Sequence, residues 1–114
     1  MLSETTRDAL YDIRDHAIYS KEFVAGMDLD TFKQDRKTFF AATRALEIVS
    51  EAARRLPEEL RARHPELPWR AIMGSGNIYR HNYDNVAHHA VWQTIHAELP
   101  ALAAVIAEEI AKLG

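Results

Sequence analysis

"DTFKQDRKTFFAATRALEIVSEAARRLP", residues 30–57, is the stretch that decides the fold. Within it Phe32, Phe39, Leu46, Val49, Ala53 and Leu56 recur at spacings of three, four and seven. That is the period of one helical face. Asp30 is placed to cap this helix. Pro57 is placed to stop it, because proline supplies no backbone donor and collides with the preceding turn. Glu47 and Glu51 stand four apart with Arg44, Arg54 and Arg55 nearby, which reads as a salt-bridged outer face.

The same period extends in both directions. Upstream, Ser3 can cap a first helix with Glu4 and Asp8 near its positive end. Its apolar stripe is Leu10, Ile13, Ala17, Phe23 and Val24, and it ends near Gly26. Downstream, Pro57 can occupy the first turn of a short segment, Glu58–His64, and Pro68 the first position of a helix opened by "PWRAIM". The last segment, Val86 to Leu113, carries Val86, Ala90, Val91, Ile95, Leu99, Leu102, Ile106, Ile110 and Leu113, with Pro100 expected to kink or break it. No strand-like alternation, repeat or low-complexity tract occurs. The expectation is one domain over residues 1–114, an all-α bundle of four to five helices.

Composition narrows the function. With 114 residues the chain has room for a single core. Having no cysteine, it can form no disulfide, thiolate nucleophile or cysteine-ligated zinc site. The start, MLSETTRDAL, has Glu4 and Asp8 where a signal peptide needs a basic and then apolar run. No uncharged apolar segment reaches the roughly 18 residues of a membrane span, so no membrane partner and a cytoplasmic location are expected. A net charge of −3 argues against a generic polyanion binder. Yet residues 53–80 hold Arg54, Arg55, Arg61, Arg63, Arg70 and Arg80 against only Glu58, Glu59 and Glu66, a local basic surface compatible with phosphate.

The chemistry gathers in "GSGNIYRHNYD", residues 74–84. If the helix opened by Pro68 runs through it, Asn77, Arg80, His81 and Asp84 stand at i, i+3, i+4 and i+7 on one face, with Tyr83 at its edge. Arginine can hold two phosphate oxygens at once, and histidine exchanges a proton near neutral pH. RNA brings its own nucleophile, the 2′-hydroxyl. Cleavage therefore needs a base, an acid for the leaving oxygen and a cation on the phosphate. One histidine does not easily serve as both acid and base in one step, but a two-fold dimer would bring a second His81 close. Gly74 and Gly76 each cost about 1 kcal/mol against alanine inside a helix, so they point to a broken helix or a close approach of backbone. "GSGN" lacks the G-x-x-x-x-G-K-[ST] of a phosphate-cradling loop. The remaining histidines offer only two-ligand faces, Asp84 with His88 and His89 with His96, and no metal site or other cofactor is expected. Trp69 and Trp92 are expected in the core or at an interface.

The order of "LYDIRDHA", "RALEIVSEAARRL", "LPWRAIMGSGNIYRHNYDNV" and "VWQTIHAELPAL" resembles the HepT family of HEPN-domain proteins over nearly the whole chain. The resemblance implies a HEPN-type up-and-down bundle. It also implies an endoribonuclease toxin of a two-gene toxin–antitoxin module, dimeric, with RNA as substrate and an MntA-like nucleotidyltransferase as partner. The family motif, R-x(4–6)-H-x-Y, assigns Arg and His to RNA cleavage and makes Tyr the acceptor of AMP from the antitoxin. The histidine falls on His81, the tyrosine on Tyr83, and the polar residue that often follows the family arginine on Asn77. The arginine should fall at position 76, where this chain has glycine. Arg80, one helical turn or about 6 Å further along, is the nearest cation able to replace it. Two functions stay open: a ribonuclease neutralised at Tyr83, and a non-catalytic helical subunit that docks a nucleotidyltransferase.

Overall fold

The computed structural model describes the backbone of residues 3–81 and 85–113, and the side chains of residues 3–76 and 87–113. Every regular element among the described residues is helical: α1 (Glu4–Phe23), α2 (Leu29–Gln34), α3 (Arg36–Arg55), α4 (Glu58–Ala62), α5 (Trp69–His81), α6 (Asn85–Gln93) and α7 (Leu99–Ala111). A π-helical turn, Thr94–Glu98, joins α6 to α7. The all-α bundle expected from the apolar period is the fold observed. Four long rods carry it (α1, α3, α5 and the α6–α7 run), and α2 and α4 are short connectors.

Residues 30–57 do not form one helix: the stretch divides at Asp35. Asp28, not Asp30, caps α2, accepting from the Thr31 amide at 2.8 Å and its hydroxyl at 2.6 Å. Asp35 ends α2 and restarts the chain as the cap of α3, accepting from the Thr38 amide at 3.0 Å. Aspartate competes for backbone donors more effectively at a cap than inside a helix, so two capping aspartates won over one uninterrupted apolar period. Donation from Thr31 and Thr38 respectively holds both carboxyls below the usual carboxylate range.

The core is continuous. Leu10, Ile13 and Ala17 of α1 and Phe39, Leu46, Val49 and Ala53 of α3 meet Val91, Ile95, Leu99, Leu102 and Ile106 of the last run. Phe23, expected in the α1 stripe, is instead 40% exposed, while Val24 beside it is buried. Gly26, at φ +79°, turns the chain out of α1 in the left-handed region that favours glycine. Proline placement differs from expectation by one position. Pro57 caps α4 from outside rather than filling its first turn, α4 ends at Ala62 short of His64, and α5 begins at Trp69 after Pro68.

Before Pro100 the last segment leaves the α ladder for a π turn and returns to it at Leu99, so the expected disturbance is present while helix continues through it. The Leu99 amide donates to Thr94 O, a five-residue step, and helix continues on both sides. The wider π turn lets the backbone pass a residue with no donor and a bulky ring. The run Ala87–Ala111 is long and apolar enough to cross a bilayer by length and composition, at a mean hydropathy of 1.2. Its apolar face is already used: Val91, Ile95, Leu102 and Ile106 lie in the bundle core.

Candidate active site

Helix α5 is fixed at its start by Trp69. The indole Nε1–H donates to His64 O at 2.9 Å, and the ring is buried, the core role expected of it. Part-buried Trp92 packs on Phe32, ring centroids 5.4 Å apart. From Trp69 the helix runs antiparallel to α3, and the contact between them is polar at its centre. Ser50 is fully buried. Its hydroxyl donates to Met73 O at 2.9 Å and accepts from the Gly76 amide at 3.2 Å. Arg54, one turn along α3, also donates to Met73 O, at 3.0 Å. A side chain on α3 thus hydrogen-bonds the backbone of α5 one turn before Arg80 and His81.

Gly76 allows this approach. A Cβ there would sit 3.3 Å from Ser50 Oγ and 3.4 Å from Ser50 Cβ, with Glu47 Cα at 3.9 Å. Gly74 would meet nothing within 4 Å. Of the two glycines, Gly76 marks the close approach of backbone. Position 76, where the resemblance places the motif arginine, is therefore a point of close packing between α3 and α5. A side chain added there asks Ser50, held by two hydrogen bonds, to give by a few tenths of an ångström.

The backbone of α5 is helical through His81, so Asn77, Arg80 and His81 keep the i, i+3, i+4 relation of one face. Their side chains lie outside the described residues, as do Tyr83 and Asp84 entirely. Beyond them, α6 is seated by stacking. His88 lies on Phe39 at 4.0 Å between centroids, and His96 on Trp92 at 4.0 Å with its Nδ1–H donated to Trp92 O. Among the described residues no three histidine or carboxylate side chains converge as metal ligands.

A second polar cluster escaped the sequence reading. Glu109 of α7 is 1% exposed and binds Arg63 Nη2 at 2.7 Å and His64 Nε2 at 2.5 Å, with Lys112 Nζ at 3.4 Å. Burial works to raise its pKa, but the bonds from Arg63 and His64 and the charges of Arg63 and Lys112 outweigh it and bring the carboxyl down to about 2. The signal was present: Glu109 follows Leu102, Val105 and Ile106 on the apolar face of α7. The salt-bridged face of α3 was read in part. Arg44 stands 3.8 Å from Glu47 and 3.7 Å from Glu51, whereas Arg55 pairs with Asp12 at 2.7 Å.

An all-α bundle with a polar seam leading into an R-H-x-Y segment defines a class, and comparison with known proteins gives the family. Residues 13–109 match the family model described as Ribonuclease HepT-like. The chain is 33% identical over 101 residues to the "Probable ribonuclease HepT" of Thermococcus cleftensis, covering 89% of this chain and 92% of that protein. It is 33% identical over 109 residues to a "Putative RNase" of Caldanaerobacter subterraneus subsp. tengcongensis, covering 96% of this chain and 97% of the relative. No solved structure gives a significant match. The chain belongs to the HepT-like ribonuclease family.

Proposed function

We propose that this chain is a metal-independent endoribonuclease toxin of a two-gene module, acting in the cytoplasm as a homodimer and neutralised by AMP transfer to Tyr83 from an MntA-like nucleotidyltransferase. The observation that carries the reading is the family match over residues 13–109, which includes the whole segment from Asn77 to Asp84. In this reading His81 takes the proton of the 2′-hydroxyl as that oxygen bonds to phosphorus, and the P–O5′ bond breaks. The partner copy's His81 protonates the departing oxygen. Arg80 supplies the cation on the phosphate and Asn77 a polar contact beside it, with Asp84 in support. The products are a 2′,3′-cyclic phosphate and a 5′-hydroxyl, and no metal enters the balance.

Support for the dimer is chemical: one histidine does not easily serve as acid and base in the same step, and a two-fold axis supplies a second. AMP on Tyr83 would bring bulk and negative charge two residues from His81, where substrate phosphate has to sit. The seam at Gly76 favours a second reading, a non-catalytic subunit that docks the nucleotidyltransferase, because the motif arginine is missing there. Expression of the chain alone in bacteria separates the two. The ribonuclease arrests growth and His81→Ala relieves the arrest, whereas a docking subunit leaves growth unchanged in both forms.

A further inference from the structure

A ribonuclease site at the end of α5 needs a surface along which the strand approaches. One flank of α3 has the composition for it. Arg36, Phe40 and Arg44 stand at i, i+4 and i+8, with Lys37 three residues before Phe40. Residues 36–46 contain these three cations and no carboxylate. Arg36 and Lys37 are exposed and form no ion pair among the described residues, and Arg44 makes only the two long contacts to Glu47 and Glu51. Between them Phe40 is 53% exposed, more than any other large apolar side chain described. Its ring leans on buried Phe39, centroids 5.8 Å apart, and Phe39 is stacked in turn on His88. Phe40 is thus a solvent-facing ring on a fixed base, flanked by exposed cations.

The register of the bundle carries this flank to the candidate site. Arg54 and Ser50 reach Met73, and Ser50 and Glu47 lie against Gly76, so α3 descends as α5 ascends. Carried on at about 1.5 Å per residue, this register brings Arg44 level with the last turn of α5 and Phe40 one turn beyond it. We propose that Arg36, Lys37, Phe40 and Arg44 form a track for single-stranded RNA, with a base stacked on Phe40 and the cations on flanking phosphates. The proposal rests on the ribonuclease reading and names where its substrate lies. Cations alternating with an exposed ring suit a charged strand with flat bases better than an apolar protein surface, which would leave three guanidinium or ammonium groups to be desolvated.

The test is fluorescence anisotropy with a labelled, fully 2′-O-methylated single-stranded RNA, which cannot be cleaved, beside cleavage of the unmodified strand. Phe40→Ala should weaken binding about tenfold, the scale of one lost base-on-ring stack, and Phe40→Trp should retain it. Arg36→Gln with Lys37→Gln should lower the slope of log affinity against log salt by about 1.4. Ile18→Ala, at an exposed apolar position on α1, should change neither. Unchanged affinity in Phe40→Ala overturns the track and, where the wild type cleaves, leaves the ribonuclease reading intact. A change of oligomeric mass in Phe40→Ala also overturns it, by making this face an assembly surface. A wild type that neither binds nor cleaves RNA overturns both.

Discussion

Two buried polar clusters hold this bundle together, and they do so by opposite means. At the α4–α7 end, Glu109 gathers Arg63, His64 and Lys112 in a charged knot, far in sequence from the R-H-x-Y segment. At the α3–α5 seam, Ser50 joins two helices through a neutral hydroxyl and backbone groups, immediately before that segment. The charged knot ties α7 to the segment after α4 through a carboxyl held below its ordinary range. The neutral seam sets where α5 lies against α3, and hence where its last turn points. Stability and site geometry are thereby assigned to different groups, which a few substitutions can separate.

The largest effect on stability is expected from the knot. Glu109→Gln keeps the shape but leaves buried His64 without its carboxylate, while half-exposed Arg63 turns to water, and should cost about 2 kcal/mol in denaturant unfolding. RNA cleavage at temperatures where the variant is folded should be unchanged. A variant as stable as the wild type would show that the knot is idle. The same carboxyl predicts the acid limb. Its folded pKa of about 2 lies below the ordinary 4.5, so its contribution is complete above pH 4.5 and is lost as pH falls toward 2. The difference in melting temperature between wild type and Glu109→Gln should therefore close across that window. A difference that stays constant down to pH 2 would assign acid sensitivity to other groups.

The seam should respond in reverse, with a smaller stability cost and a larger effect on activity. Ser50→Ala removes one donor and one acceptor and should cost about 1–2 kcal/mol. Cleavage should fall further than the folded fraction does, through kcat rather than KM, with Ser50→Thr restoring part of it. Gly76→Arg alone should not restore the family motif. It overpacks the seam at a cost of about 1–3 kcal/mol, and Ser50→Ala in the same chain should relieve part of that cost. Additive behaviour in this cycle would mean that the two positions do not compete for space. The smallest effect concerns Thr43, a buried hydroxyl of α3 without a hydrogen-bond partner among the described residues. Thr43→Val should leave stability unchanged or raise it by up to about 1 kcal/mol.

Much of this was legible in the sequence because helical periodicity is a local property. Leu46, Val49 and Ala53 announce a buried face whatever they pack against. The break at Asp35 was missed because Phe32 and Phe39 stay in period across it, and apolar spacing does not register where a capping carboxylate interrupts the ladder. Glu109 was missed for the complementary reason: its partners lie 45 and 46 residues away in sequence, and only tertiary packing brings them together. The candidate site divides in the same way. Asn77, Arg80, His81 and Tyr83 are visible as a cluster of residue types, and so is the glycine at the motif's arginine position. What that glycine contacts depends on Ser50, 26 residues upstream, which nothing in its own neighbourhood marks.

In the proposed reading the last turn of α5 cleaves RNA with His81, and with Arg80 in place of the arginine missing at position 76. Single-turnover cleavage of a fluorescent RNA in EDTA tests it most directly, comparing wild type with His81→Ala, Arg80→Ala and Arg80→Lys. The wild type should be active without metal, with a loss on the order of a hundredfold or more in each alanine variant, as for removal of a group acting in the transition state. Lysine should recover little, because an ammonium lacks the planar fork of guanidinium. Full activity in Arg80→Ala would contradict the substitution of Arg80 for the motif arginine, and full activity in His81→Ala, or none in the wild type, would contradict the ribonuclease itself.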